Sequence, residues 1–335
     1  MPDTLRVAVI GAGRIVELGH LPGFQKAGVQ VVALCDVNQD NLVSLADRFQ
    51  VERRYTDWHA MLADGGFDAV SICTPPSLHC EMAVTSAQHG YHTLVEKPMA
   101  LTLDECDQMI HAAQEAGVLL MVAHNQRFSL RHVIAKEVLD RGDLGQPRRA
   151  HAAFTHGGPE KWSPNQSWYF NTRFAGHGAF LDLGYHKIDL LRWLTGQEVK
   201  DISCFSATFE KPTTAEDTMV AAMRFSDGML GTLQISWASR PGVEDLVSIS
   251  CEHGMIHVPS NAAEPVRVLK QLTNGDLFES SYLNHGCDLD PAGWFGMAAA
   301  FVDAARRRTL SPVSGEDGRT TLATVLKAYQ SLHAG

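Results

Sequence analysis

The sequence predicts an α/β fold of two domains. Residues 1–123 predict a doubly wound parallel sheet, and residues 124–335 predict an α+β domain with a large, mostly antiparallel, open-faced sheet. Three observations lead to this prediction. The chain has 335 residues, which is longer than one ordinary hydrophobic core requires. Short apolar runs alternate with helical patterns in its first third, and long β-rich stretches follow the middle of the chain.

In the first domain, five short apolar runs have the length and composition of strands buried on both faces of a parallel sheet. They are Val7–Ile10, Val31–Cys35, Ala69–Cys73, Thr93–Val95 and Leu119–Ala123. Helical patterns lie between them, at Asn41–Phe49, Glu81–His89 and Leu103–Ala116. The last helix has an acidic first turn at Asp104 and ends before Gly117. This alternation with short loops predicts the doubly wound sheet.

In the second domain, two helices are predicted at Leu130–Arg141 and Asp182–Leu194, before a series of β-rich stretches. These stretches are Lys200–Phe209, Asp217–Phe225, Met229–Trp237, Asp245–Cys251, Met255–Val258, Val266–Leu272 and Asp276–Tyr282. Helices at Pro291–Arg307 and Gly318–Ala334 follow, and the last can pack back on the first domain. A sheet this large needs both faces covered, so we expect a homodimer or homotetramer formed through it.

The composition excludes several classes of protein. The formal net charge is −10 and no basic stripe offsets it, which argues against a nucleic-acid partner. The longest apolar runs are far below the roughly 18 residues of a membrane span, so no membrane segment is expected. The seven cysteines lack a C-x-x-C spacing, and no signal-peptide pattern precedes the first strand. We therefore expect a cytoplasmic protein with reduced thiols and no metal site.

A glycine-rich turn, Gly11-Ala12-Gly13-Arg14-Ile15-Val16, follows the first predicted strand. Gly11 permits a tight turn, Gly13 lets the backbone approach a pyrophosphate, and the next helix start offers free N–H groups to the anion. Gly11, Gly13, Arg14 and Ile15 are therefore candidate dinucleotide-binding residues of a Rossmann domain. Val16 stands where the full motif has a third glycine or alanine, which predicts looser packing of the helix on the strand.

Asp36 ends the second strand, where a carboxylate hydrogen-bonds the adenosine ribose of a dinucleotide. Its charge repels a 2′-phosphate, and no lysine or arginine occupies positions 37–40. The sequence therefore favours NAD over NADP. The alternative is an aspartate that caps the helix beginning near Asn41.

The loop Cys73-Thr74-Pro75-Pro76-Ser77-Leu78-His79 follows the third predicted strand. Its two prolines stiffen a segment at the carboxyl end of a strand, where ligands bind in this architecture. Thr74, Pro75, Pro76 and His79 are therefore candidate cofactor contacts. A rigid connection to the next helix is the alternative.

Glu96-Lys97-Pro98 closes the fourth predicted strand at the same edge of the sheet. A lysine at this position is expected to meet an anionic or reacting group. Glu96 either binds the ribose of the cofactor or neutralises Lys97. A surface lysine in a turn is the alternative for Lys97.

Asp182 and His186 are four residues apart and share one face of a predicted helix, with Asp189 three residues further on. An aspartate one turn from a histidine can hold the ring and stabilise its cation, which suits a general base. A surface ion pair and a metal site are the alternatives, although no third ligand is suitably spaced.

Taken in order, these motifs resemble the glucose–fructose oxidoreductase/inositol dehydrogenase/MocA family. The resemblance rests on Gly-x-Gly with Asp36, the Thr74–His79 loop, Glu96-Lys97-Pro98, Asn125-Gln126-Arg127-Phe128, and Asp182-x-Gly-x-His186 with Asp189. It implies an NAD-dependent sugar or polyol dehydrogenase with Lys97, Asp182 and His186 as catalytic residues, and an oligomer interface on the C-terminal sheet. His177 departs from the glycine run of the family, and it either reaches the substrate pocket or points to solvent.

Under this resemblance, the expected reaction is oxidation of a secondary alcohol, with NAD as the hydride acceptor. His186 takes the hydroxyl proton, Asp182 orients His186, and Lys97 stabilises the charge that develops on the oxygen. Lys97, Asp182 and His186 are therefore also candidate substrate contacts.

Further substrate contacts are expected from Trp168 and Arg173, in the segment Phe154–Phe174, and from Arg127. Asn125 and Arg127 also border the nicotinamide side of the pocket. Core packing or a solvated surface position is the alternative for each of these side chains. Two rival functions remain open: an NAD-dependent glycoside-cleaving enzyme that uses transient oxidation, and a non-catalytic NAD-binding regulator.

Overall fold

The fold is that of a computed structural model, which describes residues 5–163, 167–282, 290 and 292–332. The chain divides into two compact units. The first comprises Met1–Asn125, Arg173–Gly176 and Trp294–Leu322, and the second comprises Gln126–Thr172, His177–Gly293 and Ala323–Gly335. The first unit thus takes in segments from beyond residue 123 that the sequence analysis assigned to the second domain.

Six strands of the described residues form the sheet of the first unit. They are β1 Arg6–Ile10, β2 Gln30–Cys35, β3 Arg53–Tyr55, β4 Ala69–Ile72, β5 His92–Val95 and β6 Leu120–Val122. All neighbours pair in parallel, in the order β3-β2-β1-β4-β5-β6. This is the doubly wound order of a Rossmann domain, and the strand order reverses between β1 and β4, where ligands bind. The predicted Rossmann fold is confirmed.

Ten α-helices occur in the described part of the chain. They are α1 Leu21–Lys26, α2 Gln39–Phe49, α3 Trp58–Asp64, α4 His79–Gln88, α5 Leu103–Ala116, α6 Leu130–Asp140, α7 Thr172–Ala175, α8 Tyr185–Thr195, α9 Trp294–Arg307 and α10 Gly315–Ser331. Helix α5 has the bounds that the sequence predicted. Thr102 and Glu105 form a capping box at its start, and Gly117 in the left-handed conformation ends it.

Eight strands of the described residues form the sheet of the second unit. They are β7 Pro147–Thr155, β8 Val199–Ala207, β9 Thr218–Phe225, β10 Leu230–Ser236, β11 Glu244–Cys251, β12 Gly254–Val258, β13 Val266–Gln271 and β14 Leu277–Tyr282. Their order is β14-β13-β12-β11-β7-β10-β9-β8. Only β7 and β10 pair in parallel among these strands. The predicted mostly antiparallel sheet is confirmed.

One face of this sheet is covered within the unit, since α6 and α8 pack on each other and on strands β7 and β12. On β8, β9 and β10 the side chains of the opposite face alternate with the buried ones. Phe205, Val220 and Leu230 lie on this face and are 82%, 45% and 54% exposed. The sheet is therefore open on one side, as the sequence predicted.

Five regular elements were missed by the sequence analysis: β3, β7, α1, α3 and α7. The nine residues of β7 contain three alanines and two arginines and lack a valine or isoleucine, so the strand carries little β propensity. It forms because its backbone pairs with β10 on one side and β11 on the other, and its alanines are buried on the faces of the sheet. Pro22 and Gly23 made α1 resemble a loop, although proline is favourable in the first turn of a helix.

Three further observations concern the predictions from composition. In the part of the chain that the structure describes, no helix combines the length and apolar character needed to cross a membrane. The six cysteines of that part are free thiols, and Cys287 lies outside it. The predicted ends of the last two helices, Pro291 and Ala334, also lie outside the described residues.

Candidate active site

The glycine-rich turn of the first unit joins β1 to a π-helical turn at Val16–His20. Gly11 has a φ of +107°, and a Cβ on it would lie 2.5 Å from the carbonyl oxygen of Cys73. Only glycine therefore fits at this position. The carbonyl of Gly13 accepts a hydrogen bond from the N–H of Val16 at 3.1 Å, which begins the helical segment. This close backbone arrangement fits the pyrophosphate of a dinucleotide.

The remaining residues of the motif occupy different environments. Arg14 is exposed and forms an ion pair with Glu17, and Ile15 is half-buried. Val16, at the position of the third glycine, is fully buried and begins the π turn. Close packing occurs further along, because a Cβ on Gly19 would lie 2.8 Å from the ring of Trp294 on α9. The replacement of the third glycine of the motif by Val16 therefore coincides with a wider, π-helical turn, and this turn packs closely against Trp294.

Asp36 is held against the glycine-rich turn. Its Oδ2 accepts a hydrogen bond from the N–H of Ala12 at 2.5 Å, and its Oδ1 accepts one from the N–H of Asn38 at 2.7 Å. The alternative role as a helix cap belongs to Asn38, whose side chain accepts from the N–H of Asn41 at 3.0 Å at the start of α2. The carboxylate of Asp36 therefore lies beside the turn, and its contact with the ribose stays a prediction.

Glu96 forms a buried ion pair that the sequence analysis did not predict. Its Oε1 lies 2.8 Å from Nε2 of His20, and its Oε2 accepts from the N–H of Lys97 at 3.1 Å. Nδ1 of His20 lies 2.9 Å from Oγ of Ser71. Burial lowers the pKa of His20, but the neighbouring Cys73 and Glu96 raise it by more, to about 10. The imidazolium and the Glu96 carboxylate thus stabilise each other beneath the carboxyl ends of β4 and β5.

His79 joins the two candidate loops. Its Nε2 lies 2.8 Å from the carbonyl oxygen of Thr74, and its Nδ1 lies 3.0 Å from the carbonyl oxygen of Pro98. The ring is fully buried at the start of α4, and burial lowers its pKa. The role of His79 in this geometry is structural, since its ring contacts two backbone carbonyls and thereby holds two loops together. Its predicted cofactor contact receives no support from this position.

The other cofactor candidates of this unit lie at strand ends. Thr74 and Pro75 follow β4, and Pro76 begins a short 3₁₀ turn that leads into α4. Lys97 is half-buried after β5, and its bond to Pro98 is cis. Asn125 follows β6 and is buried at the start of a 3₁₀ turn. All of these positions are at the carboxyl edge of the parallel sheet, as predicted.

In the second unit, Asp182 and His186 lie in two consecutive helical segments. A π turn at Phe180–Gly184 contains Asp182 and continues into α8, whose second residue is His186. The predicted single helix therefore begins with a wide turn, a feature often found at functional sites. Asp182 is half-buried and accepts from Nε1 of Trp237 at 3.2 Å. His186 is 9% exposed, with its ring 5.9 Å from that of Phe154.

Arg127 is occupied by an ion pair with Asp189. Its Nε and Nη2 donate to the two carboxylate oxygens of Asp189 at 2.8 and 2.6 Å. The side chains are 7% and 2% exposed. A bidentate pair at this depth gives Arg127 a structural role in joining the 3₁₀ turn after Asn125 to α8. The prediction that Arg127 contacts the substrate receives no support from this geometry.

The predicted substrate segment also differs from expectation, because β7 includes Phe154 and continues to Thr155. Trp168 stacks on Tyr169, with ring centres 3.9 Å apart. Tyr169 in turn meets the ring of Trp237 edge-on at 6.5 Å. Arg173 is exposed on α7. The aromatic side chains of this segment are thus connected, through Trp237, to the carboxylate of Asp182.

His177 contacts an aromatic residue from the end of the chain. It is half-buried, and its ring stacks on that of Tyr329 at 3.9 Å with an interplanar angle of 16°. Burial lowers its pKa. Sequence analysis did not single out Tyr329, which lies far away in the chain.

The structure thus brings the predicted residues together in two sets. In the first unit, Asp36 contacts the glycine-rich turn, and His79 joins the loops of Thr74 and Pro98. In the second unit, Asp182 and His186 share one helical segment. Among the functional candidates that the sequence analysis missed are His20 and Trp237. His20 lies a few residues after the glycine-rich turn, and Trp237 ends a predicted strand. Neither position is specific enough to indicate a functional site.

Comparison with known proteins identifies the family. Residues 5–124 match the model of an oxidoreductase family with an NAD-binding Rossmann fold, and residues 132–257 match the GFO/IDH/MocA C-terminal domain. The chain is 28% identical over 333 residues to the myo-inositol 2-dehydrogenase of Thermotoga maritima, which covers 98% of this chain and 96% of the relative. It is 26% identical over 336 residues to the 1,5-anhydro-D-fructose reductase of Ensifer adhaerens, with coverage of 98% and 97%.

Solved structures give the same result. The WlbA dehydrogenase from Bordetella pertussis, in complex with NADH and UDP-GlcNAcA, aligns with a TM-score of 0.83 and 26% identity over 99% of this chain and 98% of that chain. The family matches span most of the chain, and the Gly11 turn with Asp36 fits the dinucleotide. The chain therefore belongs to the GFO/IDH/MocA family of oxidoreductases and binds NAD through its Rossmann domain.

Proposed function

We propose that this protein oxidises a secondary alcohol of a sugar, anhydrosugar or polyol with NAD, or reduces the corresponding ketone with NADH. The observation that carries this proposal is the pair Asp182 and His186, placed at the start of one helical segment in a chain whose nucleotide turn is intact. A non-catalytic NAD-binding protein has no need of a general base there. The names of two relatives, an inositol dehydrogenase and an anhydrofructose reductase, support the substrate class.

The three catalytic candidates have separate roles. His186 takes the proton of the substrate hydroxyl, or returns it to the carbonyl oxygen in the reverse direction. Asp182 stabilises the imidazolium that forms, and its own carboxylate is oriented by Nε1 of Trp237. Lys97 donates a hydrogen bond to the same substrate oxygen and stabilises its negative charge. NAD supplies the hydride acceptor when it is bound.

The residues that hold NAD are those of the first unit. The turn Gly11–Gly13 receives the pyrophosphate, with Arg14 and Ile15 at the helix start. Asp36 accepts hydrogen bonds from the adenosine ribose and repels a 2′-phosphate, so NAD is preferred to NADP. Oε1 of Glu96 is committed to the ion pair with His20, so Glu96 can bind the cofactor only through Oε2.

Substrate contacts are proposed for Lys97, Asp182, His186, Trp168 and Arg173. Trp168 and its stacked neighbour offer an aromatic surface for the apolar face of a sugar ring. Arg173 is exposed on α7, and a guanidinium suits the recognition of an anionic substituent.

The open face of the second sheet supports a proposal about assembly. Phe205, Val220 and Leu230 expose apolar area on one flat surface, which suits contact with a second copy of the chain. We propose a homodimer or homotetramer formed through this face. The cytoplasmic location stays a prediction from the pattern of cysteines.

The experiment that tests the function is the appearance of NADH at 340 nm. Inositols, aldoses, anhydrosugars and sugar acids are offered to the wild type with NAD and, separately, with NADP. Lys97→Met and His186→Ala are compared with the wild type on every substrate that responds. We expect turnover on one group of substrates with NAD, reduced by orders of magnitude in both variants while calorimetry shows unchanged NAD affinity. Binding of NAD without turnover on any substrate, or turnover retained in the variants, contradicts the proposal.

A further inference from the structure

The helical segment that carries Asp182 and His186 begins in an unusual way. Three successive N–H groups at its start, those of Ala179, Phe180 and Leu181, donate to acceptors elsewhere in the second unit. The first N–H groups of a helix have no partner inside the helix, and a local side-chain cap usually satisfies one of them. Ala179 stands at the cap position and has no side-chain oxygen.

Two distant residues, Glu216 and Tyr329, provide these acceptors. The backbone carbonyl of Glu216 accepts from the N–H of Ala179 at 3.0 Å, and its Oε1 accepts from the N–H of Phe180 at 2.8 Å. The hydroxyl of Tyr329 accepts from the N–H of Leu181 at 3.1 Å and donates to the same Oε1 at 2.8 Å. We call this pair of side chains the Glu216–Tyr329 clamp.

The backbone of Gly178 packs directly against the backbone of Glu216. A Cβ on Gly178 would lie 1.9 Å from the carbonyl oxygen of Glu216, so no other residue fits there. This requirement explains the second glycine of the run before the helix. Two aromatic rings also contact the clamp, because His177 stacks on the ring of Tyr329 and Phe180 meets that ring edge-on at 6.1 Å.

Both polar groups of the clamp are buried, at 8% exposure for Glu216 and 9% for Tyr329. Burial raises the pKa of Glu216, although the N–H of Phe180 and the hydroxyl of Tyr329 lower it in part. Burial, with Glu216 beside it, also raises the pKa of Tyr329 well above its ordinary value. Tyr329 therefore keeps its proton near neutral pH and remains the donor to Glu216.

We propose that Glu216 and Tyr329 are positioning residues for Asp182 and His186, which they place by holding the start of the helical segment that carries both. Asp182 follows Leu181 directly, so the backbone that the clamp holds sets the position of its carboxylate. His186 lies one turn further along the same segment. The inference rests on the proposed function for the roles of these two residues. A displacement of about 1 Å in a catalytic group can reduce the rate about 100-fold.

The test uses Glu216→Ala, Glu216→Gln and Tyr329→Phe in the full chain. Glu216→Ala removes the acceptor of two hydrogen bonds, and we expect kcat to fall about 10- to 100-fold with the KM for NAD unchanged. Glu216→Gln keeps a side-chain oxygen, so we expect it to restore kcat to within about threefold of the wild type. Tyr329→Phe keeps the stacking on His177 but leaves the N–H of Leu181 without its acceptor. We expect its loss of kcat to lie between those of Glu216→Ala and Glu216→Gln.

Asp217→Ala is the matched control. Asp217 is also buried and also accepts from successive backbone N–H groups, those of Phe209, Glu210 and Lys211 at 2.9, 2.7 and 3.0 Å. These groups belong to the turn after β8, so the control loses a comparable set of hydrogen bonds away from the helical segment. We expect kcat within about threefold of the wild type in this variant, even where its thermal stability falls as much as that of Glu216→Ala.

Hydrogen exchange provides a readout that needs no substrate. In Glu216→Ala we expect the peptide containing residues 179–186 to exchange at least about tenfold faster, with no such change in Asp217→Ala. Unchanged exchange, or a kcat of Glu216→Ala equal to that of the control, overturns the proposal. If the wild type oxidises no substrate at all, the proposed function fails. Selectively faster exchange in Glu216→Ala would still support the clamp in that case.

Discussion

Replacing Arg127 by methionine is expected to destabilise the second unit strongly, because it leaves the carboxylate of Asp189 buried without its ion pair. The two side chains are 7% and 2% exposed and form two hydrogen bonds of 2.8 and 2.6 Å. Removal of one partner from a buried pair costs about 3–5 kcal/mol, since the remaining charge keeps its desolvation penalty. For a unit of roughly 200 residues, this loss lowers Tm by on the order of 10 °C.

The assay is a double-mutant cycle followed by thermal and urea unfolding. Arg127→Met and Asp189→Leu should each be strongly destabilising, and the double variant should be less destabilised than either single one, because it buries no unpaired charge. Arg127→Lys is the conservative control. It keeps the charge and loses the bidentate geometry, so an intermediate effect of about 1–2 kcal/mol is expected.

The same variants decide between the two roles that have been considered for Arg127. If the guanidinium bound an anionic substrate, Arg127→Met would raise KM and leave the unfolding midpoint where it is in the wild type. The two single losses would then add in the double variant. Either result would refute the assignment of Arg127 to the interior of the second unit.

Three other predictions concern Asp36, His20 and Trp237. Asp36→Ala should raise the KM for NAD about tenfold or more and reduce the preference for NAD over NADP, which initial rates with both cofactors test. Asn38→Ala is the control, because it removes only the cap of α2, at a cost of about 1 kcal/mol, and should leave the preference for NAD unchanged. The pKa of His20 is raised to about 10 in the folded protein, so its stabilising contribution is complete below about pH 6.5 and is lost as pH rises through 10. His20→Gln should therefore be less stable than the wild type by about 3–5 kcal/mol at pH 7, and urea unfolding should show the difference shrinking near pH 10; a difference that is constant with pH would contradict the ion pair. Trp237→Phe removes the Nε1 donor to Asp182 and should lower kcat about tenfold with little loss of aromatic packing; a kcat equal to that of the wild type would show that the indole does not orient the carboxylate.

Several features of the site could be predicted because their causes are local in the sequence. The glycines at 11 and 13 follow a buried strand directly, and a turn of this kind admits only glycine at the first position. Asp36 ends the next strand, and parallel strands end at the same edge, so its carboxylate had to lie beside that turn. Strand β7, which lacks valine and isoleucine, was missed because pairing with strands on both sides, and not propensity, makes it form.

The partners of the polar side chains were decided by the tertiary structure. Arg127 and Asp189 are 62 positions apart, and His20 and Glu96 are 76 apart. Leu181 and Tyr329 are 148 apart. No spacing rule connects such residues, because contact between them depends on how whole elements pack.

The sequence by itself therefore predicted the doubly wound fold, the nucleotide turn and a preference for NAD, since each follows from short patterns of glycine, charge and hydrophobicity. The catalytic candidates came from the resemblance of the ordered motifs to a known family. Only the tertiary structure decided that Arg127 is committed to Asp189, that His79 holds two loops, and that Glu216 and Tyr329 hold the start of the segment carrying Asp182 and His186. The physical reason is that a buried polar group must find a partner, and folding brings that partner from anywhere in the chain.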